Sequence, residues 1–302
     1  MSAVPFLQIQ AFLAVARLRS FSAAARELGV SRSAVSQAVR QLEGHLDVVL
    51  LARTTRSVST TEAGRRLVEG AGPTLAQLTA TLAEVASKPG EIVGRVRLSV
   101  PRGAMPFVLE PVVPAFRQRH PRIELEIELE DRMVDIVAEG YDAGIRIGDT
   151  IERDMIQVRL TDPFRFVVVG SPDYLARHGT PERPEDLLRH DCITFRSQTT
   201  GALYAWELER GKRTWRVPVR GGVVSGDSGL IGALAEQGVG LVYAFEPLVK
   251  EQLRTGRLQV VLDRYAPKVP GFFLYYPSIA QRSQALRLFV ETAKELSMRT
   301  LV

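Results

Sequence analysis

The chain has 302 residues, 45% apolar and 24% charged, which makes it globular and too long for one ordinary core, so two or three domains are expected. No stretch approaches the roughly 18–20 continuous apolar residues of a membrane span, and the single Cys192 excludes an internal disulfide framework and suits a reducing cytoplasm. The net charge is +5 and unevenly placed. Of 39 basic and 34 acidic residues, seven and three lie in residues 1–60, so that segment holds four of the five surplus charges. A surplus confined to one end is the footprint of a nucleic-acid module, and a neutral remainder argues against a second such surface.

The N-terminal "MSAVPFLQIQAFLAVARL" lacks a basic start, and Phe6, Ile9, Phe12, Leu13 and Ala16 follow a helical stripe. It reads as a first helix rather than an export signal. Next comes "FSAAARELGVSRSAVSQAVRQLE" (21–43), two short helices with only "GVSR" between them. Ala25, Gly29 and Val35 sit where steeply crossing helices need a small residue, a turn residue and an apolar wedge. Ala24, Leu28, Val30 and Val39 complete the expected inward face. The other face of the second helix carries Arg32, Ser33, Ser36, Gln37 and Arg40, side chains that pair with base edges and phosphates. An Ala-rich bundle with a solvated polar face is the bland alternative.

Val48–Leu51 and Ser57–Thr60 flank "ARTTR" and resemble a two-stranded wing with Arg53 and Arg56 at a basic tip. A long helix should start near Thr61, with Thr60 or Thr61 as N-cap and Glu62 in its first turn. Its apolar positions are Ala63, Leu67, Ala71, Leu75, Leu78, Leu82 and Val85, and the last four are spaced like a helix that packs along a second copy. Gly72-Pro73 should interrupt or kink it, and "SKPGE" (87–91) should end it as a hinge.

Beyond the hinge, strands alternate with helices. "GRVRLSV", "IELEIELE", "AGIRIG", "FRFVVVG" and "GVGLVYAF" read as strands, and "MPFVLEPVVPAFRQRHP", "RMVDIVAEG" and "SGLIGALAEQG" as helices. That alternation predicts largely parallel sheets in two α/β lobes with a cleft between them.

No catalytic constellation stands out. The four histidines (45, 120, 178, 190) lack ligand spacing, and there is neither a nucleophile elbow nor a P-loop, so no metal, no cofactor and no enzyme activity are expected. The carboxylates of "IELEIELED" read as a solvated or edge face. "SVPRGAM" and "SGDSGLIG" pass from strand to helix at Pro101–Ala104 and Asp227. Two helix N-termini across one cleft would favour a small anion, most simply a carboxylate. Arg146 and Arg196 lie near further strand ends, either as counter-charges for that anion or as partners of structural acids.

This order of parts resembles the LysR-type transcriptional regulators over essentially the whole chain. The stretch "FSAAARELGVSRSAVSQAVRQLEGHLDVVLLARTTRSVSTTEAG" is the most specific match, to the family's winged helix-turn-helix. Fainter echoes run through "RLSVP", "DIVAEGYDAGIRIGD" and "GVGLVYAFEPLVKEQLRTGRLQVVL". The resemblance implies an N-terminal winged helix-turn-helix in residues 1–60 and a linker and dimerisation helix with its hinge in 61–90. It then implies an α/β two-lobed effector domain, similar to periplasmic solute-binding proteins, in 91–302. Lobe I would comprise 91–162 and 268–302, and lobe II 163–267.

The implied DNA-binding set is Ser22, Arg32, Ser33, Ser36, Gln37, Arg40, Arg53 and Arg56. Dimerisation falls to Leu67, Leu75, Leu78, Leu82 and Val85. The effector cleft falls on Ser99, Pro101, Arg102, Gly103, Ala104, Arg146, Gly148, Phe195, Arg196, Ser197 and Asp227. Implied partners are double-stranded promoter DNA, further copies of the chain as a dimer of dimers, a small-molecule effector and RNA polymerase, in the cytoplasm and without a membrane. Two departures stand out: Asp47 replaces a common glycine after the recognition helix, and Leu50-Leu51 replaces Leu-Phe, which should thin the packing under the wing. A constitutive regulator with an occluded cleft remains the alternative. An enzyme with a DNA-binding head and a free solute-binding protein fit the residues less well.

Overall fold

The computed structural model describes residues 5–53, 58–86, 92–151, 154–197 and 200–297. Three helices open the chain: α1 (Phe6–Leu18), α2 (Phe21–Glu27) and α3 (Arg32–Leu46). Ser20 Oγ accepts the Ala23 N–H at 3.2 Å and Ser31 Oγ the Ala34 N–H at 3.1 Å, so each helix of the corner starts on a serine cap. Gly29 turns the chain between them with φ +65°, a conformation open to glycine at little cost. Ala24, Ala25, Val35, Val39 and Leu42 are buried against Ala11, Phe12, Ala14 and Val15 of α1. Two expectations need correction. Val30 is 48% exposed, because the turn ends before it can point inward, and α1 buries Ala11, Ala14 and Val15 rather than Phe6, which is exposed.

Asp47 closes α3 in the left-handed conformation, φ 53°, where a short polar side chain is tolerated. The wing is shorter than its apolar run suggested: β1 (Leu51–Arg53) pairs antiparallel with β2 (Val58–Thr60). Val48 and Val49 stay exposed ahead of it, while Leu50 and Leu51 are fully buried, so the Leu-Leu pair does seal the wing.

Helix α4 (Glu62–Ala86) runs 25 residues, so Gly72-Pro73, where a kink was expected, does not end it. Thr61 is its N-cap, accepting the Gly64 N–H at 3.1 Å and donating to the Val49 carbonyl at 2.7 Å. Gly64 permits the close approach of α4 to the wing, since a Cβ there would overlap the Leu50 carbonyl oxygen. The expected hinge at 87–91 lies outside the described residues.

The remainder forms two lobes. In the first, β3 (Gly94–Val100) is followed by a short turn, one wide π-helical turn (Met105–Leu109) and α5 (Glu110–Arg119). Then come β4 (Ile123–Leu129), β5 (Ala143–Ile147) and β6 (Ile156–Arg159). The chain crosses into β7 (Phe164–Gly170), α6 (Pro172–His178), β8 (Cys192–Ile193), the hairpin β9 (Trp206–Arg210) and β10 (Arg213–Val217), and α7 (Ser228–Glu236). It continues through β11 (Leu241–Phe245), α8 (Lys250–Arg254), β12 (Gln259–Val261) and β13 (Lys268–Val269). β14 (Phe272–Tyr276) and α9 (Gln284–Leu296) return to the first lobe.

Both sheets are mixed, not largely parallel. In the order β4-β3-β5-β14-β6, β14 runs antiparallel to both neighbours. In β12-β7-β11-β8, only β11 and β8 run parallel. In the first sheet the antiparallel strand is β14, the one that re-enters from the other lobe and runs against β6, the strand that left. Lys268 and Val269 still pair with β7, so the return occurs at Pro270-Gly271. Residues 132–140, expected as a helix, form none: 132–135 are irregular and 136–140 form turns. Asp135 Oδ1 accepts the Val137 and Ala138 N–H groups, and Gly140 at φ +71° stops propagation after one turn.

Candidate functional site: a helix face and an interlobe seam

The exposed face of α3 follows from its buried one. Val35, Val39 and Leu42 anchor the helix, which turns Arg32, Ser33, Gln37 and Arg40 to solvent and leaves Ser36 half-buried beside them. Arg32, Gln37 and Arg40 make no hydrogen bond or ion pair among the described residues, so their donors are uncommitted. The Ser33 hydroxyl shares a 2.8 Å hydrogen bond with Ser31. Ser22 is exposed at the start of α2. Arg53 ends β1 at the wing tip, and Arg56 lies outside the described residues.

One residue of this region was missed by sequence reasoning. The Glu43 carboxylate accepts the Leu50 and Leu51 N–H groups at 2.9 and 3.2 Å, tying the last turn of α3 to the start of the wing. The signal available was an acid eight residues before a strand, too common to single out.

Along α4, Ala63 and Leu67 pack on the helix-turn-helix core, so Leu67 is committed within its own domain. Leu75 is half-buried, and Leu78 and Leu82 are bare, Leu82 at 60% exposure. The Val85 side chain lies outside the described residues.

Between the lobes the expected anion cradle is already served by the protein's own acids. Arg102 donates its N–H to Asp131 Oδ1 at 2.9 Å and its guanidinium to Oδ2 at 3.2 Å. Asp227 caps α7, accepting the Leu230 N–H at 2.7 Å. A carboxylate sits at each strand-to-helix passage that was expected to attract one, so neither is a vacant anion site. Pro101 accepts the Ala104 N–H, and Gly103 and Ala104 are buried. A Cβ on Gly103 would overlap the Phe245 ring, so the end of the second sheet rests on the first lobe there. Gly148 packs against Phe273 and Pro270 at the crossing. The Phe195 ring stacks on Tyr204 at 4.7 Å, Arg196 donates to the Gly201 carbonyl at 3.1 Å, and Ser197 closes the same loop.

Rings join the lobes. From Phe107 the contacts run to Phe272 (6.5 Å), Phe164 (5.2 Å), Phe245 (5.3 Å), Phe166 (4.5 Å) and Tyr243 (4.8 Å). Burial raises the Tyr243 pKa, and its hydroxyl donates to the Glu207 carbonyl at 2.6 Å.

Arg146 stands apart. It is 4% exposed on β5, and its guanidinium donates to the Ser99 carbonyl (3.3 Å), the Ile145 carbonyl (2.6 Å), Ser99 Oγ (3.0 Å) and the Arg132 carbonyl (2.8 Å). No carboxylate partners it among the described residues, and its Nε has no acceptor. Burial pulls its pKa below the usual arginine value. Its hydrogen bonds all go to neutral dipoles, and the Glu130 and Asp131 carboxylates act on it only from beyond ion-pair distance, so the buried cation retains attraction for an anion. Among the described residues no group of three or more acids, histidines or cysteines could hold a metal, and no helix is long and apolar enough to cross a membrane.

Two family models match the chain: a bacterial regulatory helix-turn-helix of the lysR family over residues 6–65, and a LysR substrate-binding domain over residues 89–297. The regulator PgrR of Escherichia coli is 35% identical, covering 95% of this chain and 96% of its own length. PtxR of Pseudomonas aeruginosa is 31% identical, covering 95% and 91%. A full-length OxyR structure from Pseudomonas aeruginosa superposes with a TM-score of 0.70 at 16% identity, covering 99% of this chain and 98% of that one. That likeness speaks for the fold.

Proposed function

The chain belongs to the LysR family of transcriptional regulators, and on that premise we propose that α3 reads promoter DNA under the control of an anion bound between the lobes. Residues 1–60 are the DNA-binding domain, 61–90 the linker and 91–302 the effector domain. The bare stripe of Leu78 and Leu82 supports pairing of α4 with a second copy, and pairs of such dimers would form the tetramer. Two α3 helices would then enter successive major grooves of a near-palindromic site, with the wing tips along the flanks.

The observation that carries the DNA reading is the uncommitted Arg32–Gln37–Arg40 face on a helix anchored by its opposite side. Selection of binding sites from a random duplex library tests it. Arg32→Ala and Gln37→Ala should each relax preference at one position per half-site. Uniform weakening over all sequences would mean phosphate contact only.

The effector reading moves from the helix N-termini at the strand ends to Arg146, supported by its buried guanidinium, which has no ion pair among the described residues. Thermal unfolding of the full chain against a panel of small carboxylates tests it. A ligand at about a hundred times its Kd adds about 2.7 kcal/mol, and Arg146→Lys should abolish that shift. The Phe245 ring against Gly103 favours a second reading, a constitutive regulator whose cleft its own side chains fill. Absence of a shift from every carboxylate up to millimolar concentration would select it.

A further inference from the structure

We propose that residues 130–141 form an internal docking surface that couples Arg146 to the back of the helix-turn-helix. The inference rests on the effector reading only for the nature of its trigger. The segment is clamped into one body. The Arg132 guanidinium bridges Glu130 (2.5 Å) and Glu139 (2.7 Å), while the Tyr141 hydroxyl donates to Glu130 at 3.0 Å. Arg97 of β3 lies 4.3 Å over the Tyr141 ring and donates to the Glu139 carbonyl at 2.6 Å. Beneath, Val134, Ile136 and Tyr141 pack with Tyr275 in a small apolar cluster separate from the main core of the lobe. A segment held at both ends by its own charges moves as a unit rather than fraying.

One end of this body hangs from Arg146, whose Nη2 donates to the Arg132 carbonyl at 2.8 Å. The other end meets the DNA-binding domain. A Cβ on Gly140 would come within 3.3 Å of Arg17 Cδ, so the arginine stem crosses the bare backbone there. The Arg17 guanidinium is itself ion-paired with Glu27, the last residue of α2, immediately ahead of the turn that sets the angle of α3. A continuous set of contacts thus runs from the interlobe guanidinium to the corner that presents the reading helix.

The device has two arrangements. With no anion, Nη2 holds the Arg132 carbonyl and the segment stays on β5. An anion that takes Nη2 withdraws that anchor and changes how Gly140 meets Arg17. Linkage requires the reverse as well: a DNA-domain position that alters the Gly140 contact must alter the Arg146 end.

Hydrogen exchange of the full chain, without ligand or DNA, tests this in both directions. The Glu139, Gly140 and Tyr141 N–H groups are hydrogen-bonded within the turns and report opening directly. In Arg146→Lys the shorter ammonium reaches Ser99 Oγ but not the Arg132 carbonyl as well. Exchange is expected to rise severalfold over 132–141 and also over 14–27, with β7 and β11 unchanged. In Arg17→Ala it is expected to rise over 135–141. An effect that stops at the domain boundary in either variant overturns the proposal. Should Arg146→Lys unfold the first lobe, seen as free exchange of β3 and β5, Arg17→Ala decides alone. Neither measurement uses an effector, so a negative result here leaves the anion reading standing. A carboxylate panel without a thermal shift likewise leaves this contact standing.

Discussion

The arginines of the reading helix and those of the lobes differ in what they touch. Arg32 and Arg40 project from α3 without a partner among the described residues, whereas Arg97, Arg102, Arg132 and Arg165 are each neutralised by an acid distant in sequence or across a turn. Arg165 alone engages Glu246 at 2.5 Å and Asp263 at 2.8 Å. The overall surplus of charge therefore understates the contrast. In the lobes these four arginines fix loops and strands internally, whereas Arg32 and Arg40 keep their donors uncommitted, as the proposed contacts to phosphates and bases require, where each cation would release counterions on binding. Arg146 differs from these four in being buried with no ion pair among the described residues, which is why the effector reading settles on it.

The largest expected effect removes the scaffold that presents the free face. Gly64→Ala forces a methyl onto the Leu50 carbonyl oxygen and should cost about 3 kcal/mol of DNA-domain stability. Differential scanning calorimetry should show that domain unfolding first, with the lobe transition unmoved. Next comes the free cation itself. Arg32→Ala should weaken specific DNA binding by about 1–3 kcal/mol, read by fluorescence anisotropy, with no change in melting temperature. The same kind of substitution at a neutralised arginine should do the opposite. Arg165→Met leaves Glu246 and Asp263 unpaired at a partly exposed site and should cost about 1 kcal/mol of lobe stability, with DNA affinity unchanged. If Arg165→Met weakens DNA binding as much as Arg32→Ala, the contrast between the two sets of arginines fails.

The smallest effect concerns the second lobe alone. Burial, then the neighbouring His178, holds the His190 imidazole below its usual value of about 6.5. The folded state thus binds that proton less readily than the unfolded chain. Stability from the neutral ring is present above about pH 6.5 and is lost as pH falls through that value toward the folded pKa. Melting temperature should decline on acidification over that window, and His190→Gln should flatten the decline.

Legibility tracked the range of the interaction. The helical corner was readable because its determinants, Ala25, Gly29, Ser31 and Val35, lie within a short stretch of chain and act through local caps and spacing. The winged fold and the alternation of strands and helices were readable for the same reason, and so was the exposed face of α3, the complement of its buried positions. The helix expected over 132–140 failed because periodicity is blind to Asp135 capping and a positive-φ Gly140, which stop it after one turn. Sheet direction failed because the antiparallel place of β14 follows from the chain having visited another lobe.

By itself, then, the sequence determined the helical corner, which residues of it face solvent, and that the surplus charge gathers there. Tertiary structure alone decided which charges are free. Asp131 reaches Arg102 across 29 positions, Asp227 turns back on its own helix, and Arg146 is buried without an acid. Spacing encodes contacts within a turn or a strand. The partner of a charge depends on which distant segments the fold brings within about 3 Å, and no local pattern carries that information.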